Sequence, residues 1–143
     1  MENKKDKLEN FKTAISSTVR SLTNSQKLEV SFGNQQSKTE QDSIRLPDLQ
    51  QNNNKLNYEE IRAIADSKSL NYRFSDKKIF KQFEPEGNIS KKLYNISEKI
   101  RCEKIGTSYF KGVKNNIEKF YNKRISELDL KNNGEDVLLS GWV

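Results

Sequence analysis

The chain has 143 residues, of which 32% are hydrophobic and 32% charged, and its formal net charge is +6. This length suits one domain, and an apolar share well below the roughly 45–50% of typical globular chains predicts a thin core shared by amphipathic elements. Because no stretch approaches the ~20 apolar residues of a membrane-spanning helix, and no apolar signal region follows the charged N-terminus, we expect a cytoplasmic protein with no membrane partner.

The first element is predicted to be an amphipathic helix. Residues 1–7 are charged, and we expect them to form a flexible N-terminus ahead of a domain that spans residues 8–128. From Leu8 to Leu22, apolar residues recur at intervals of three and four, which is the period of a helix with one buried face.

Two short segments that follow have the pattern of strands. Apolar and polar residues alternate over 28–32 and again over 43–46, as in half-buried strands. Since the intervening residues 33–42 are polar, the pattern predicts a two-stranded β-hairpin with a wide connection, closed by Pro47. The Gln/Asn tract at 50–54 is interpreted as a solvated linker.

The second helix has a strong predicted start. Asn57 and Glu60 have the spacing of a capping box, and Leu56 and Ile61 that of a hydrophobic staple. We expect this helix to extend to about Arg73. Ser75 is predicted to cap a short third helix that carries Ile79, Phe80 and Phe83.

Two longer helices are predicted to complete the domain. After a turn at 84–87, Asn88 is expected to cap a helix that ends at Gly106, and the last helix extends from Phe110 to Leu128. Residues 129–143 are interpreted as a loop or tail, and the apolar residues within it indicate either a truncated continuation or an atypical end. The predicted fold is mainly α with a minor β part, with about five helices and one small hairpin.

The residue types exclude several kinds of site. Histidine is absent and Cys102 is the only cysteine, so an intrachain disulfide and a thiolate zinc site are excluded. Carboxylates alone favour Mg²⁺ or Ca²⁺ over Co²⁺. With no histidine to activate it, Cys102 is interpreted as a small buried hydrophobe. No catalytic, cofactor-binding or metal-binding residue is predicted, and no cofactor is expected in this chain.

The positive charge raises nucleic acid as an alternative partner. However, lysine outnumbers arginine 20 to 6, and arginine is the residue best suited to bidentate phosphate and guanine contacts. Lysines also alternate with acids along most of the chain. Nucleic acid is therefore not the expected partner, but a small basic helical nucleic-acid-binding protein stays open as the alternative function.

Two polar motifs have ordinary structural interpretations. Asp66-Ser67-Lys68-Ser69 approaches a metal-binding Asp-x-Ser-x-Ser motif, but Lys68 replaces its first serine, so an exposed helix surface is expected instead. Glu98 and Arg101 have the i,i+3 spacing of a helix-surface ion pair worth about 0.2–0.5 kcal/mol.

The order of several short motifs resembles one known family. It is the T subunit of the aerobic, ATP-dependent cobaltochelatase, CobT, and the similarity is to its N-terminal domain. The motifs are Leu28-Glu29-Val30-Ser31-Phe32, Arg45-Leu46-Pro47, Ala65-Asp66-Ser67, Pro85-Glu86-Gly87, Glu98-x-x-Arg101-x-Glu103-x-Ile105-Gly106 and Gly112-Val113-x-x-Asn116-Ile117.

The resemblance implies a module without chemistry of its own. Its partners would be a CobS-like AAA+ ATPase subunit and a CobN-like large chelatase subunit, and the complex would use ATP, Mg²⁺ and Co²⁺ to insert cobalt into hydrogenobyrinic acid a,c-diamide during cobalamin biosynthesis. Family members continue into a von Willebrand A-type domain that this sequence lacks. An adaptor for an AAA+ ATPase that acts on another target is a further alternative.

The resemblance also implies candidate interaction or structural residues. They are Arg45, Asp66, Glu86, Glu98, Arg101, Glu103 and Asn116. Two docking surfaces are candidates, the edge of the hairpin and the face formed by Glu98, Arg101 and Glu103. Of these we favour the hairpin edge, and for Arg101 we favour a structural role against Asp66 or Arg45.

Overall fold

The computed structural model describes residues 4–34, 42–48 and 57–127, which contain five helices and two short strands. In chain order the elements are α1 (Lys4–Thr23), β1 (Glu29–Phe32), β2 (Ser43–Leu46), α2 (Tyr58–Phe74), α3 (Lys77–Gln82), α4 (Asn88–Tyr109) and α5 (Lys111–Glu127). The mainly α prediction with a minor β part is confirmed. α1 begins ahead of the predicted start at Leu8.

Some predicted features lie outside the described residues. They are most of the loop at 33–42, the 50–54 linker, Leu56 of the staple, Leu128 and the 129–143 tail. Among the helices that are described, none combines the length and apolarity needed to cross a membrane.

Helix α2 is the centre of the fold. It packs against α1, α4, α5 and β2. On one side of the molecule, α1, α2 and the sheet enclose a first core of Ile15, Val19, Leu28, Phe32, Ile44, Leu46 and Ala65. On the other side, α1, α2 and α5 enclose a second core of Leu22, Leu70, Val113 and Ile117.

The two strands are parallel, so the predicted hairpin is wrong in its direction. Val30 pairs with Ile44 and Phe32 with Leu46. Alternation identifies which side chains face the core, but it carries no information about strand direction. A strand of four residues spans only about 13 Å, so the connection from Gly33 to Asp42 is long enough to return to the start of β1 and permit parallel pairing.

The predicted start of α2 is confirmed. The Glu60 amide donates to Asn57 Oδ1 at 2.8 Å, and the Asn57 amide donates to Glu60 Oε2 at 3.2 Å. Two amides that the first turn leaves without helical partners are thereby satisfied.

The next two predicted caps are wrong by one residue. Ser75 ends α2, and Asp76 caps α3 because its carboxylate accepts from the amides of Lys78 and Ile79 at 2.9 and 3.1 Å. Asn88 is already helical, and the preceding Gly87 is the N-cap residue with φ of 90°. Glycine adopts this left-handed φ without the strain that a β-carbon brings.

Gly106 does not end α4, contrary to the prediction, because it serves packing against α2. A β-carbon placed on Gly106 would lie 2.8 Å from Leu70 Cγ and closer still to both Leu70 methyl groups. The helix continues to Tyr109, and Phe110 separates it from α5. Glycine here allows close approach of the two helices instead of breaking one.

Candidate functional site

A row of small and polar residues on α2 is buried, so the expected exposed helix surface at 66–69 is wrong. Asp66, Ser67 and Ser69 are 1%, 8% and 0% exposed, whereas Lys68 is exposed. Helices pack on several sides of α2, and short side chains allow that close packing. Ser69 satisfies its hydroxyl within α2, donating to the Ala65 carbonyl at 2.7 Å.

Asp66 connects α2 to α5. Asn116 Nδ2 donates to Asp66 Oδ2 at 2.8 Å, across fifty positions of sequence. Burial raises the pKa of the Asp66 carboxyl, while the Asn116 hydrogen bond and the charge of Arg62 partly oppose that shift. The two family-motif residues therefore meet in space.

Glu103 is the centre of a second buried cluster that joins three helices. Ser67 Oγ of α2 donates to Glu103 Oε1, and the Tyr121 hydroxyl of α5 donates to Glu103 Oε2 at 2.9 Å. Lys99 Nζ lies 3.8 Å from Glu103 Oε1 and 5.3 Å from the centre of the Tyr121 ring. Burial and the adjacent Glu103 charge raise the pKa of Tyr121, so its hydroxyl stays a donor.

Glu98 and Arg101 form a bidentate ion pair on α4. Arg101 Nε and Nη2 donate to the two Glu98 oxygens at 2.8 Å each, and Nη2 also donates to the Phe74 carbonyl at 2.8 Å. The Arg101 hydrogen bond lowers the pKa of Glu98 to about 2. Arg101 is thus held by Glu98 and the end of α2, and the expectation that it packs against Asp66 or Arg45 is wrong.

The remaining candidates, Arg45 and Glu86, lie apart from these clusters. The Arg45 side chain is exposed on β2, and its backbone carbonyl accepts from Lys68 Nζ at 2.7 Å. Glu86 is exposed in the turn between α3 and α4. Of the seven candidates, the structure brings together Asp66 with Asn116 and Glu98 with Arg101.

Cys102 is fully buried, as predicted, with 0% exposure. Burial and the neighbouring Glu98 charge raise the pKa of its thiol to about 11. Such a thiol is neither a nucleophile nor a thiolate ligand near neutral pH. Within the described ranges, no three acidic, cysteine or histidine side chains are grouped as a metal site.

An open groove of about 400 Å³ lies between α4 and α5, above the Glu103 cluster. Its lining includes the apolar Ile96, Ile100 and Ile117 and the polar Lys99, Glu103 and Tyr121. The sequence interpretation missed Ser67, Tyr121 and this groove. The available signal was the run of small residues on α2, which is typical of a helix closely packed by others.

One edge of the two-stranded sheet is the side of β1 that faces away from β2. The Glu29 amide donates to the Asp42 carbonyl at 3.1 Å and the Gly33 amide to the Leu46 carbonyl at 2.8 Å. In a parallel ladder with this register, the amide of Ser31 therefore also points toward β2, whereas the amide of Val30 points away from it.

A known protein family matches most of the chain. The family model described as cobalamin biosynthesis protein CobT matches residues 5–139. No solved structure matches the chain.

Proposed function

Because this chain belongs to the CobT family of cobalamin biosynthesis proteins, we propose that it is the non-catalytic docking module of an aerobic, ATP-dependent cobaltochelatase. Family membership supports a role in cobalamin biosynthesis. The proposed partners are a CobS-like AAA+ ATPase subunit and a CobN-like large subunit. ATP, Mg²⁺ and Co²⁺ are used by that complex and not held by this chain.

The observation that carries the proposal is that two buried carboxyl groups bond neighbouring helices to each other. Asp66 holds α5 through Asn116, and Glu103 holds α2 and α5 through Ser67 and Tyr121. Each carboxyl accepts hydrogen bonds from side chains of neighbouring helices. Groups used in this way fix the relative positions of helices and so present a rigid surface.

The surface we propose for docking is the outward edge of β1. A strand edge can add a strand from a partner through main-chain hydrogen bonds. The Val30 amide points outward, so it is the donor that an added strand would use. Beside β1 the Leu28 carbonyl accepts from Arg20 Nε at 3.1 Å, and on the other strand the Arg45 carbonyl accepts from Lys68, so the Val30 amide is the group on which the proposal rests.

The test compares two substitutions at one position in the full chain. Val30→Pro removes the outward amide, which an edge strand tolerates, whereas Val30→Ala shortens the same partly buried side chain and keeps the amide. We expect Val30→Pro, but not Val30→Ala, to weaken pull-down of the ATPase or large subunit and to reduce cobalt insertion by the reconstituted complex. Circular dichroism verifies that both variants fold.

Equal capture by Val30→Pro and the parent chain would exclude this edge as the docking surface. Failure of the chain to capture either subunit would exclude the chelatase module itself. Binding to polynucleotides that weakens steeply with salt would instead favour the nucleic-acid alternative. Capture of an ATPase without any effect on cobalt insertion would favour an adaptor for another target.

A further inference from the structure

The N-terminal half of α4 carries an apolar stripe that the described residues leave uncovered. Ile89 and Leu93 are 76% and 45% exposed, and Ile96 and Ile100 are half-buried. Their spacing of four, three and four places them on one face of the helix. A contiguous exposed apolar face of this kind marks an interaction surface.

The stripe leads directly into the groove between α4 and α5. Ile96 and Ile100 belong to both, and Ile117 of α5 adds an apolar side chain to the opposite wall. We call these five residues, Ile89, Leu93, Ile96, Ile100 and Ile117, the α4 surface. It is continuous along about 17 Å of α4, since residues 89–100 rise 1.5 Å each.

We propose that apolar residues of the C-terminal segment of the same chain cover the α4 surface. Residues 128–143 follow α5, and their apolar side chains after the acidic pair are Val137, Leu138, Leu139, Trp142 and Val143. The family match continues to residue 139, well past the end of α5. Val137 to Leu139 therefore belong to the same family region as the helices.

The path of α5 delivers this segment to the α4 surface. Val113 shares Leu70 with Gly106, and eight residues later Tyr121 lies against Glu103. The two helices are therefore antiparallel, and α5 is directed toward the N-terminal half of α4, where Ile96 lines the groove together with Tyr121 and Asn122. From the end of α5 to Val137 the chain spans up to about 33 Å, which reaches every part of the stripe.

Charge favours the same arrangement. Glu135 and Asp136 immediately precede the apolar residues. The groove lining has three lysines, Lys99, Lys104 and Lys114, against two glutamates, Glu103 and Glu118, so its charge is positive. Opposite charges on a segment and on the rim of its groove fix the direction and register in which it binds. The proposal does not depend on the cobaltochelatase function.

The test uses Trp142, the only tryptophan of the chain. In the full chain we expect its fluorescence to be blue-shifted and several-fold less quenched by acrylamide than in the unfolded protein. Leu93→Asp and Ile100→Asp should each shift the emission to the red and restore quenching. Ile79→Asp is the matched control, because Ile79 is 56% exposed on α3 and outside the groove lining.

Circular dichroism verifies that each variant keeps its helices. If Ile100→Asp does not fold, Leu93→Asp alone tests the proposal, because Leu93 is more exposed. Native emission equal to that of unfolded protein would overturn the proposal. So would emission that Leu93→Asp leaves unchanged. Shielding that disappears on dilution, with a dimer in sedimentation, would assign the cover to a second copy and would equally overturn it.

Discussion

Asp66 is the most buried carboxyl group among the described residues, and its burial opposes the charged form. The pKa of the group is raised above its usual 3.8, so the folded state binds a proton more readily than the unfolded state does. The contribution of this one group to stability is then fully present below pH 3.8 and is lost as the pH rises through the higher pKa of the folded state. At neutral pH the Asp66 charge therefore costs stability.

We predict that Asp66→Asn stabilises the chain near neutral pH by roughly 1 kcal/mol, because the amide oxygen still accepts from Asn116 and no charge is buried. Asp66→Ala, the control, removes the acceptor and should destabilise by about 1–3 kcal/mol. Denaturant melts measure both variants. A loss of stability in Asp66→Asn as large as in Asp66→Ala would show that the charge itself stabilises the fold.

The Glu98–Arg101 pair has the opposite pH dependence. The pKa of Glu98 is lowered from 4.5 to about 2, so the stability from this pair is present above pH 4.5 and is lost as the pH falls through about 2. The Arg101 side chain is 49% exposed, so solvent screening limits the contribution to about 1 kcal/mol.

We predict that Arg101→Ala lowers the free energy of unfolding by about 1 kcal/mol near neutral pH, through loss of the ion pair and of the bond to the Phe74 carbonyl. The difference from the parent chain should narrow at pH near 2. Glu118→Gln, which breaks an exposed 3.7 Å pair with Lys114, is the control and should have little effect. A loss of several kcal/mol would indicate a buried structural pair instead.

At the scale of elements, the contact between α2 and α4 is set by a residue that has no side chain. Leu70 occupies the space where a β-carbon on Gly106 would lie. Gly112 in α5 has nothing within 4 Å of its own β-carbon position. The two helical glycines therefore form a matched pair with opposite expectations.

We predict that Gly106→Ala destabilises the domain by about 1–3 kcal/mol. The free-energy cost of steric overlap between the new methyl group and Leu70 exceeds the roughly 1 kcal/mol gained in helix propensity. Gly112→Ala should be neutral or stabilise by up to about 1 kcal/mol. Thermal melts monitored by circular dichroism compare them. Equal stability of the two variants would mean that α2 and α4 can separate without cost.

The start of α2 is determined by neighbouring residues, Asn57 and Glu60, so a substitution at the cap tests it separately from the rest of the fold. Asn57→Ala should destabilise by about 0.5–2 kcal/mol, since the Glu60 amide loses its acceptor. Chemical denaturation measures the change, with Asn95→Ala as control because Asn95 is exposed and bonds only within α4, to the Lys91 carbonyl. A cap variant as stable as the control would show that tertiary packing alone fixes the start of α2.

At the scale of the whole molecule, we predict that the isolated chain neither hydrolyses ATP nor binds Co²⁺ tightly. It has no histidine, its single thiol is buried with a pKa of about 11, and carboxylates prefer harder cations. Titration calorimetry with Co²⁺ and with Mg²⁺ as control tests the binding. A sub-micromolar Co²⁺ site in this chain would contradict the prediction.

The amino-acid sequence by itself determined the local features of this protein. Apolar spacing located the helices, the Asn57–Glu60 pair marked the start of α2, and the absence of histidine excluded the commonest metal chemistry. These features follow from a few neighbouring residues, so the chain encodes them without reference to the fold. The family motifs also identified Asp66 and Asn116, although not that they bond to each other.

Only the tertiary structure decided strand direction, the role of Gly106 and the burial of residues 66–69. Alternation of apolar and polar residues is the same in parallel and antiparallel strands. In the sequence, a glycine that ends a helix cannot be distinguished from one that allows a side chain such as Leu70 to pack closely. Burial of Ser67 depends on Glu103, 36 positions away, and on the helices that surround α2. Such outcomes depend on contacts between distant segments, which local spacing does not specify.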